Sequence, residues 1–474
     1  MRLLAEEAAT FFKLGAGATS ISTSFSMALI GVGHLVGLSV GVAMFVGLLI
    51  SWVGIVPYLT APLPSGADLA DIVGTTFRMK ARFIGAGTIG VAAIWTLLKI
   101  LGPIMRGIRS AMVAAQRRKS GEGSLLELTE RDLPIGIVGG TILASVIPIG
   151  ALLWVFAQGG PIENHAGVVI GGTLAYILVA GIVIASVCGY MAGLIGASNS
   201  PISGVGILAV LGASLLLAAI YGSGGDPEQT RALVAYALFT TAIVFGVATI
   251  SNDNLQDLKT GQLVGATPWK QQVALILGVI FGSLVIPPVL DLLNSTMGFA
   301  GAPGAGPNAL PAPQAALISA LAKGVLGGDL DWGLIGIGAG IGIVVVIIDE
   351  VLGKAGELRL PPLAVGMGIY LPMALTLLIP VGAVIGHVYN RWSLRQANPE
   401  FAERMGVLMA TGFIVGESLF GVAFAGIVAG TDSDAPLALV GESHWAVPFA
   451  ILIFATVIAG LYARLRGWAS RPLS

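Results

Sequence analysis

The side chains able to do chemistry in this sequence are few, and most lie where polarity is costly. The densest group is Ser198, Asn199, Ser200 and Ser203, with Pro201 among them and Tyr190 upstream. It falls inside Ala166–Gly225, a run with no Asp, Glu, Lys or Arg. One membrane helix needs about 20 residues, so this run fits two. Asn-Ser-Pro breaks a helix, because proline lacks an N–H and biases the residue before it away from the helical region. Backbone freed in hydrocarbon persists only where protein buries it or a wet cavity receives it. Amide and hydroxyl groups at such a break can hydrogen-bond a polar solute, which makes the stretch a candidate substrate site. The structural alternative is a kink whose polar groups satisfy one another.

The ionisable candidates are isolated. Glu417 is the one acid in the apolar stretch Gly406–Ala429. Burial raises a carboxyl pKa towards neutrality, so Glu417 could bind a coupling proton; a packing residue hydrogen-bonded beside Ser418 is the alternative. Asp349 and Glu350 close the apolar stretch Trp332–Ile348. They read either as a proton or cation site at a cavity mouth or as interfacial acids in water. His34, in another apolar stretch, could relay protons or contact a metal chelate, or simply bond a neighbouring helix. Tyr370, like Tyr190, could line a cavity or sit at an interface. Gln256, Asp257 and Lys259 fall in Ser251–Lys270, read as a polar loop serving as a gate or latch; a capped, solvated loop would need no substrate.

These residues need elements to position them, and composition says which. Of 474 residues, 55% are hydrophobic and 10% charged, with mean hydropathy +0.91. Soluble domains carry about 25% charged residues. The chain is therefore expected to be an all-α polytopic membrane protein in contact with lipid. Its 68 glycines suit close helix packing. A net charge of −1 gives no reason to expect nucleic acid as a partner. The lone Cys188 permits neither an intrachain disulfide nor a cysteine metal site. No G-x-x-x-x-G-K-[ST] and no H-E-x-x-H is present, which argues against ATP hydrolysis and zinc proteolysis. No metal site or cofactor is expected.

Apolar runs divide the chain into roughly 12 transmembrane or re-entrant helices at about 20 residues each. Gly15–Ser26 is a Ser/Thr/Gly-rich piece ahead of the apolar Ala28–Tyr58, and Asp68–Arg82 is an amphipathic connector. Leu360–Asn390 is interrupted by Pro372 and Pro380. Lys/Arg-rich loops near 106–132, 251–270, 351–359 and 391–404, together with the C-terminal tail, read as cytoplasmic. An internal duplication is suggested by Val32-Gly-His-Leu-Val-Gly-Leu-Ser39 against Val365-Gly-Met-Gly-Ile-Tyr-Leu-Pro372. Ala86-Gly-Thr-Ile-Gly90 matches Thr411-Gly-Phe-Ile-Val415 at nearly the same offset. Residues 1–132 would then be the remainder of a first helical repeat and 133–474 the second, within one membrane domain.

Four motifs together resemble the oligopeptide transporter family, which includes the yellow-stripe-like metal-chelate carriers. They are Leu255-Gln-Asp-Leu-Lys-Thr-Gly261 with Gly265-Ala-Thr-Pro268, Gly193-Leu-Ile-Gly-Ala-Ser-Asn-Ser-Pro-Ile-Ser-Gly204, Ala364-Val-Gly-Met-Gly-Ile-Tyr-Leu-Pro372 and Gly412-Phe-Ile-Val-Gly-Glu-Ser418. The resemblance covers nearly the whole chain. It is consistent with a multi-pass protein of the plasma (inner) membrane, whose C-terminus the Lys/Arg pattern sets on the cytoplasmic side. It implies proton-driven transport of short peptides or peptide-like metal chelates by alternating access. It also implies an N-terminal block before Met1, with a second Asn-rich break. Where the family commonly continues Val-Gly with Pro-Arg, this chain has Leu38-Ser39. A non-transporting remnant and an intramembrane scaffold or enzyme are the competing readings. Oligomeric state is not legible in the residues.

Overall fold

The computed structural model describes residues 5, 7–66, 68–96, 98, 99, 102, 128–195, 202–299, 302, 309, 310, 312–328, 330–431 and 445–470. Its first elements are strands. Glu7–Leu14 (β1) and Gly17–Ser24 (β2) pair antiparallel, in register from Leu14↔Gly17 to Glu7↔Ser24. This corrects the all-α expectation at one place. Thr19, Ile21 and Thr23 are β-branched and alternate with serines, a pattern that fits a pleated ribbon. Gly15, at φ +62, supplies the left-handed residue of the two-residue turn.

The longer elements described after the hairpin are helices, with one isolated β-bridge between Phe299 and Leu310. The helices are α1 (Met27–Leu49), α2 (Val56–Thr60), α3 (Leu69–Thr76), α4 (82–96), α5 (Ile135–Ala157), α6 (Ala166–Ile195), α7 (Ile202–Tyr221) and α8 (Pro227–Val264). They continue with α9 (Pro268–Thr296), α10 (Pro313–Gly327), α11 (Trp332–Ala355), α12 (Pro362–Tyr370), α13 (Met373–Thr376), α14 (Leu378–Ser393), α15 (Pro399–Thr431) and α16 (Ala446–Ala469). Among the described residues, 10 helical stretches are long and apolar enough to cross a membrane. The chain is thus a multi-pass membrane protein. The exposed apolar faces agree with that: α9 buries none of its side chains, and Phe281, Leu284 and Val285 lie open, as lipid contact requires.

One expected loop is a helix. Ser251–Val264 continues α8, which runs for 38 residues, about 57 Å at 1.5 Å per residue. That exceeds the roughly 30 Å of hydrocarbon. Asn252-Asp-Asn-Leu-Gln-Asp-Leu-Lys259 is polar but holds no glycine or proline, so nothing in it stops a helix. Gly265, at φ +76, does: Ala266 N–H then donates to Gly261 O at 2.8 Å.

The helices fall into two compact units. One comprises Met1–Ile89, Pro288–Pro313 and Gly333–Ser474; the other comprises Gly90–Pro287 and Gln314–Trp332. In the second, α6, α7 and α8 form the centre. Tyr176 donates to Ala209 O at 2.8 Å, and Ser251 donates to Ala185 O at 2.7 Å. In the first, α1 is the axis, packed on α12, α14 and α15. Glycines bring these backbones together. A Cβ at Gly47 would lie 2.1 Å from Val365 O, one at Gly368 2.2 Å from Met44 O, and one at Gly382 2.3 Å from Ile30 O. Small residues at such seams are what hold membrane helices together.

Candidate functional site

The axis helix of the first unit is itself broken. Gly37 has φ 79 and ψ 175 inside α1, a conformation that is essentially glycine-only. The partner is broken as well. α12 ends at Tyr370, Leu371 is extended, and α13 begins after Pro372. Pro372 is the interruption expected from the sequence, whereas Pro380 is accommodated in the first turn of α14. Two discontinuous helices therefore pack against each other, and each break frees backbone groups.

Four polar arrangements are strung along α1 or its partner. At the start of α1, Ser26 caps the helix by accepting from Leu29 N–H at 3.2 Å. Glu417, on α15, completes that cap. Its Oε1 accepts from Ser26 Oγ at 2.6 Å and its Oε2 from Ala28 N–H at 3.0 Å. A carboxylate at the positive end of a helix satisfies two groups that would otherwise lack partners. Glu417 is thus hydrogen-bonded to Ser26 and not to the neighbouring Ser418, whose hydroxyl bonds Ile414 O.

Further along, His34 is 3% exposed. Its Nδ1 shares a 2.7 Å hydrogen bond with Tyr462 Oη. The ring stacks on Tyr462 at 5.9 Å and tilts against Tyr389 at 5.7 Å. Tyr389 donates to Ala402 O at 2.7 Å. Asn390 lies near enough to influence the imidazole. The imidazole Nε2 and Asn390 Oδ1 are both buried.

Beyond the break, Ser39 Oγ donates to Arg359 O at 2.7 Å. The Arg359 side chain forks onto Asp349: Nε donates to Oδ1 at 2.8 Å, and Nη2 to Oδ2. Leu360 N–H adds a third bond to Asp349 Oδ1 at 2.9 Å. Glu350 lies 3.5 Å from the same guanidinium. Asp349 is 5% exposed, so it is a buried, paired carboxylate and not an acid standing in water. The Arg359 guanidinium is held still more firmly protonated by its hydrogen bond to Asp349.

The fourth arrangement lies at the partner's break. Arg82 Nη2 donates to Tyr370 Oη at 2.8 Å, with the guanidinium carbon 4.8 Å from the ring centroid. Arg82 is 9% exposed. Sequence reasoning placed it in the connector and missed this role, as it missed Ser26, Ser39, Arg359, Tyr389 and Tyr462. A signal for Arg82 was available. Gly85 and Gly87 follow it, and both approach neighbouring backbone so closely that a Cβ would clash with Tyr370 or with Ile335 O.

The remaining candidates lie in the second unit. Tyr190 is half-buried on α6 beside Val187 and Met191. Ser203 belongs to α7. Ser198, Asn199 and Ser200 lie outside the described residues. Gln256, Asp257 and Lys259 lie on the extension of α8, where Lys259 Nζ donates to Gln262 Oε1 at 3.1 Å. A cavity of about 210 Å³, lined by Tyr176, Ala180, Ile184, Val205 and Leu208, carries no charged group. Among the described residues, no group of three or more His, Cys, Asp or Glu could hold a metal ion.

Among the described residues, ten apolar spans, one of them broken at Gly37 and packed on the discontinuous pair α12–α13, with ionisable side chains gathered along it, have the build of a polytopic membrane transporter. The chain belongs to the OPT family: the model for "OPT oligopeptide transporter protein" matches residues 3–428. A protein of Haemophilus influenzae strain Rd, provisionally named an oligopeptide transporter, is 40% identical over 488 residues. That alignment covers 96% of this chain and 76% of the relative. No solved structure matches the chain.

Proposed function

We propose that the protein is a proton-coupled secondary transporter of short peptides or peptide-like metal chelates, working by alternating access. Family membership supports the transport class. The observation that carries the site is the pair of breaks. Aligning Val32–Ser39 with Val365–Pro372 sets Gly37-Leu38 opposite Tyr370-Leu371, and both helices lose regular geometry there. A duplicated scaffold would produce matched breaks of this kind. It would pivot one repeat, residues 1–132, against the other, 133–474.

In this reading Glu417, His34, Asp349 and Glu350 are the proton-coupling groups. Glu417 bonds the start of α1, His34 lies on α1 and bonds Tyr462, and Asp349 and Glu350 reach α1 through Arg359, so protonation changes what holds the broken helix. Tyr370 in the first unit, and separately Tyr190, Ser198, Asn199, Ser200 and Ser203 in the second, are the candidate substrate contacts. Gln256, Asp257 and Lys259 act as a latch at the end of α8. The membrane is the plasma (inner) membrane, with the C-terminus cytoplasmic. The test is uptake of radiolabelled di- to pentapeptides and of a peptide-like iron chelate into proteoliposomes with an imposed inward proton gradient. Absence of gradient-dependent uptake of both classes by correctly inserted protein would overturn the reading.

A further inference from the structure

The hairpin has a bare edge. Leu14 and Gly17 flank a two-residue turn and pair directly, so alternate residues of β1 exchange hydrogen bonds with β2 and the others point away. The far side of β2 fixes which is which. Ala18 N–H donates outward to Thr60 Oγ1 at 2.8 Å, and Ser22 N–H is directed outward to Met373 Sδ at 3.3 Å. Ala18 and Ser22 face Lys13 and Ala9 across the ladder. Lys13 and Ala9 therefore aim their own N–H and C=O groups away from β2, as do Glu7 and Phe11. Ala5, in the same phase, donates its N–H to Ala446 O at 3.3 Å. Among the described residues, no partner meets the outward groups from Glu7 to Lys13. The strand is largely exposed, with Phe11 38% open. A bare edge is not stable in lipid, and in water it is a template for another strand.

We propose that this edge binds the main chain of an extended peptide, which adds as a third strand beside β1. The inference rests on the peptide-transport reading and names a docking mode for its substrate. Charge sets the direction. Glu7 and Lys13 end the exposed series and share its side-chain face. A peptide lying parallel to β1 puts its ammonium group by Glu7 and its carboxylate by Lys13; the antiparallel peptide would face like charges. Six residues of strand span about 20 Å, which suits a peptide of about four to six residues. Main-chain pairing supplies affinity without reading side chains, so many sequences would bind, and Phe11 offers an apolar contact midway.

The experiment uses the full chain in lipid nanodiscs and a free-terminus alanine pentapeptide with one phenylalanine, monitored by calorimetry. Two analogues carry backbone N-methyl groups, one at odd and one at even residues. Strand addition uses one edge of the peptide, so one analogue should lose at least tenfold in affinity while the other stays within threefold. Ala9→Pro removes an outward donor without touching the ladder and should also cost at least tenfold. Lys13→Gln should weaken the free acid but not its C-terminal amide. Equal binding of both N-methyl analogues would overturn the proposal, as would peptide-resistant dimers showing that a second copy covers the edge. If Ala9→Pro misfolds, the analogue pair on the native protein still decides. Wild-type protein that neither binds nor takes up any peptide would sink the transport reading as well. Uptake indifferent to the methylation pattern would sink strand addition alone.

Discussion

On the proposed function, Glu417 is the residue at which coupling and structure meet most directly. Its carboxylate accepts from Ser26 Oγ and Ala28 N–H, so a proton arriving there weakens the cap of α1. Glu417→Gln keeps the shape and removes the charge. The expected result is a loss of about 1 kcal/mol of stability, read by thermal unfolding in detergent, with uptake no longer accelerated by an acidic outside. Normal gradient dependence in this variant would make Glu417 a cap only. Asp349→Asn should cost about 2 kcal/mol through the lost charge-assisted bonds, a value discounted because Arg359 is partly in water. Combined with Arg359→Ala it should cost much less than the sum of the two. Additivity in unfolding measurements would contradict the pairing. At this scale the sequence identified the acids but not their partners. Glu417 stood out as a lone charge in an apolar stretch, whereas Ser26 lies 391 positions away along the chain and nothing local marks it. Arg359 was legible as a loop charge, but its fork onto Asp349 depends on the turn between α11 and α12.

The break in α1 is a property of the element. At φ 79 and ψ 175, Gly37 has open space around its missing Cβ, so backbone conformation and not crowding demands glycine. Gly37→Ala should cost about 1–3 kcal/mol if the break persists. If α1 straightens instead, uptake should vanish while the protein remains membrane-inserted and monodisperse. Uptake and stability both unchanged would show that the break is incidental. Pro372 announced the partner's break in the sequence, because proline removes a donor wherever it falls. Gly37 did not, since a glycine is equally at home in a packed membrane helix. The polar character of Ser251–Lys270 pointed to a loop, yet polarity without a helix breaker extends α8. The hairpin was hidden for the opposite reason: Gly15–Ser26 was short, uncharged and adjoined a long apolar run, and its β-branched alternation carried less weight than the surrounding hydropathy.

For the whole molecule, hydropathy was the most legible signal, because each crossing must be apolar over about 20 residues irrespective of its neighbours. The ten such helices among the described residues agree with the number of apolar runs closely enough to fix the class. The site is less legible, because it depends on which helices meet. On the proposed function, this chain couples proton entry to the movement of a peptide or peptide-like chelate. The most direct measurement is the proton-to-substrate charge movement of purified protein on a solid-supported membrane. Addition of peptide or chelate should produce an inward current that grows as the outside is acidified and is lost in the Glu417→Gln variant. A substrate-evoked current indifferent to pH, or none from inserted wild-type protein with either substrate class, would contradict it.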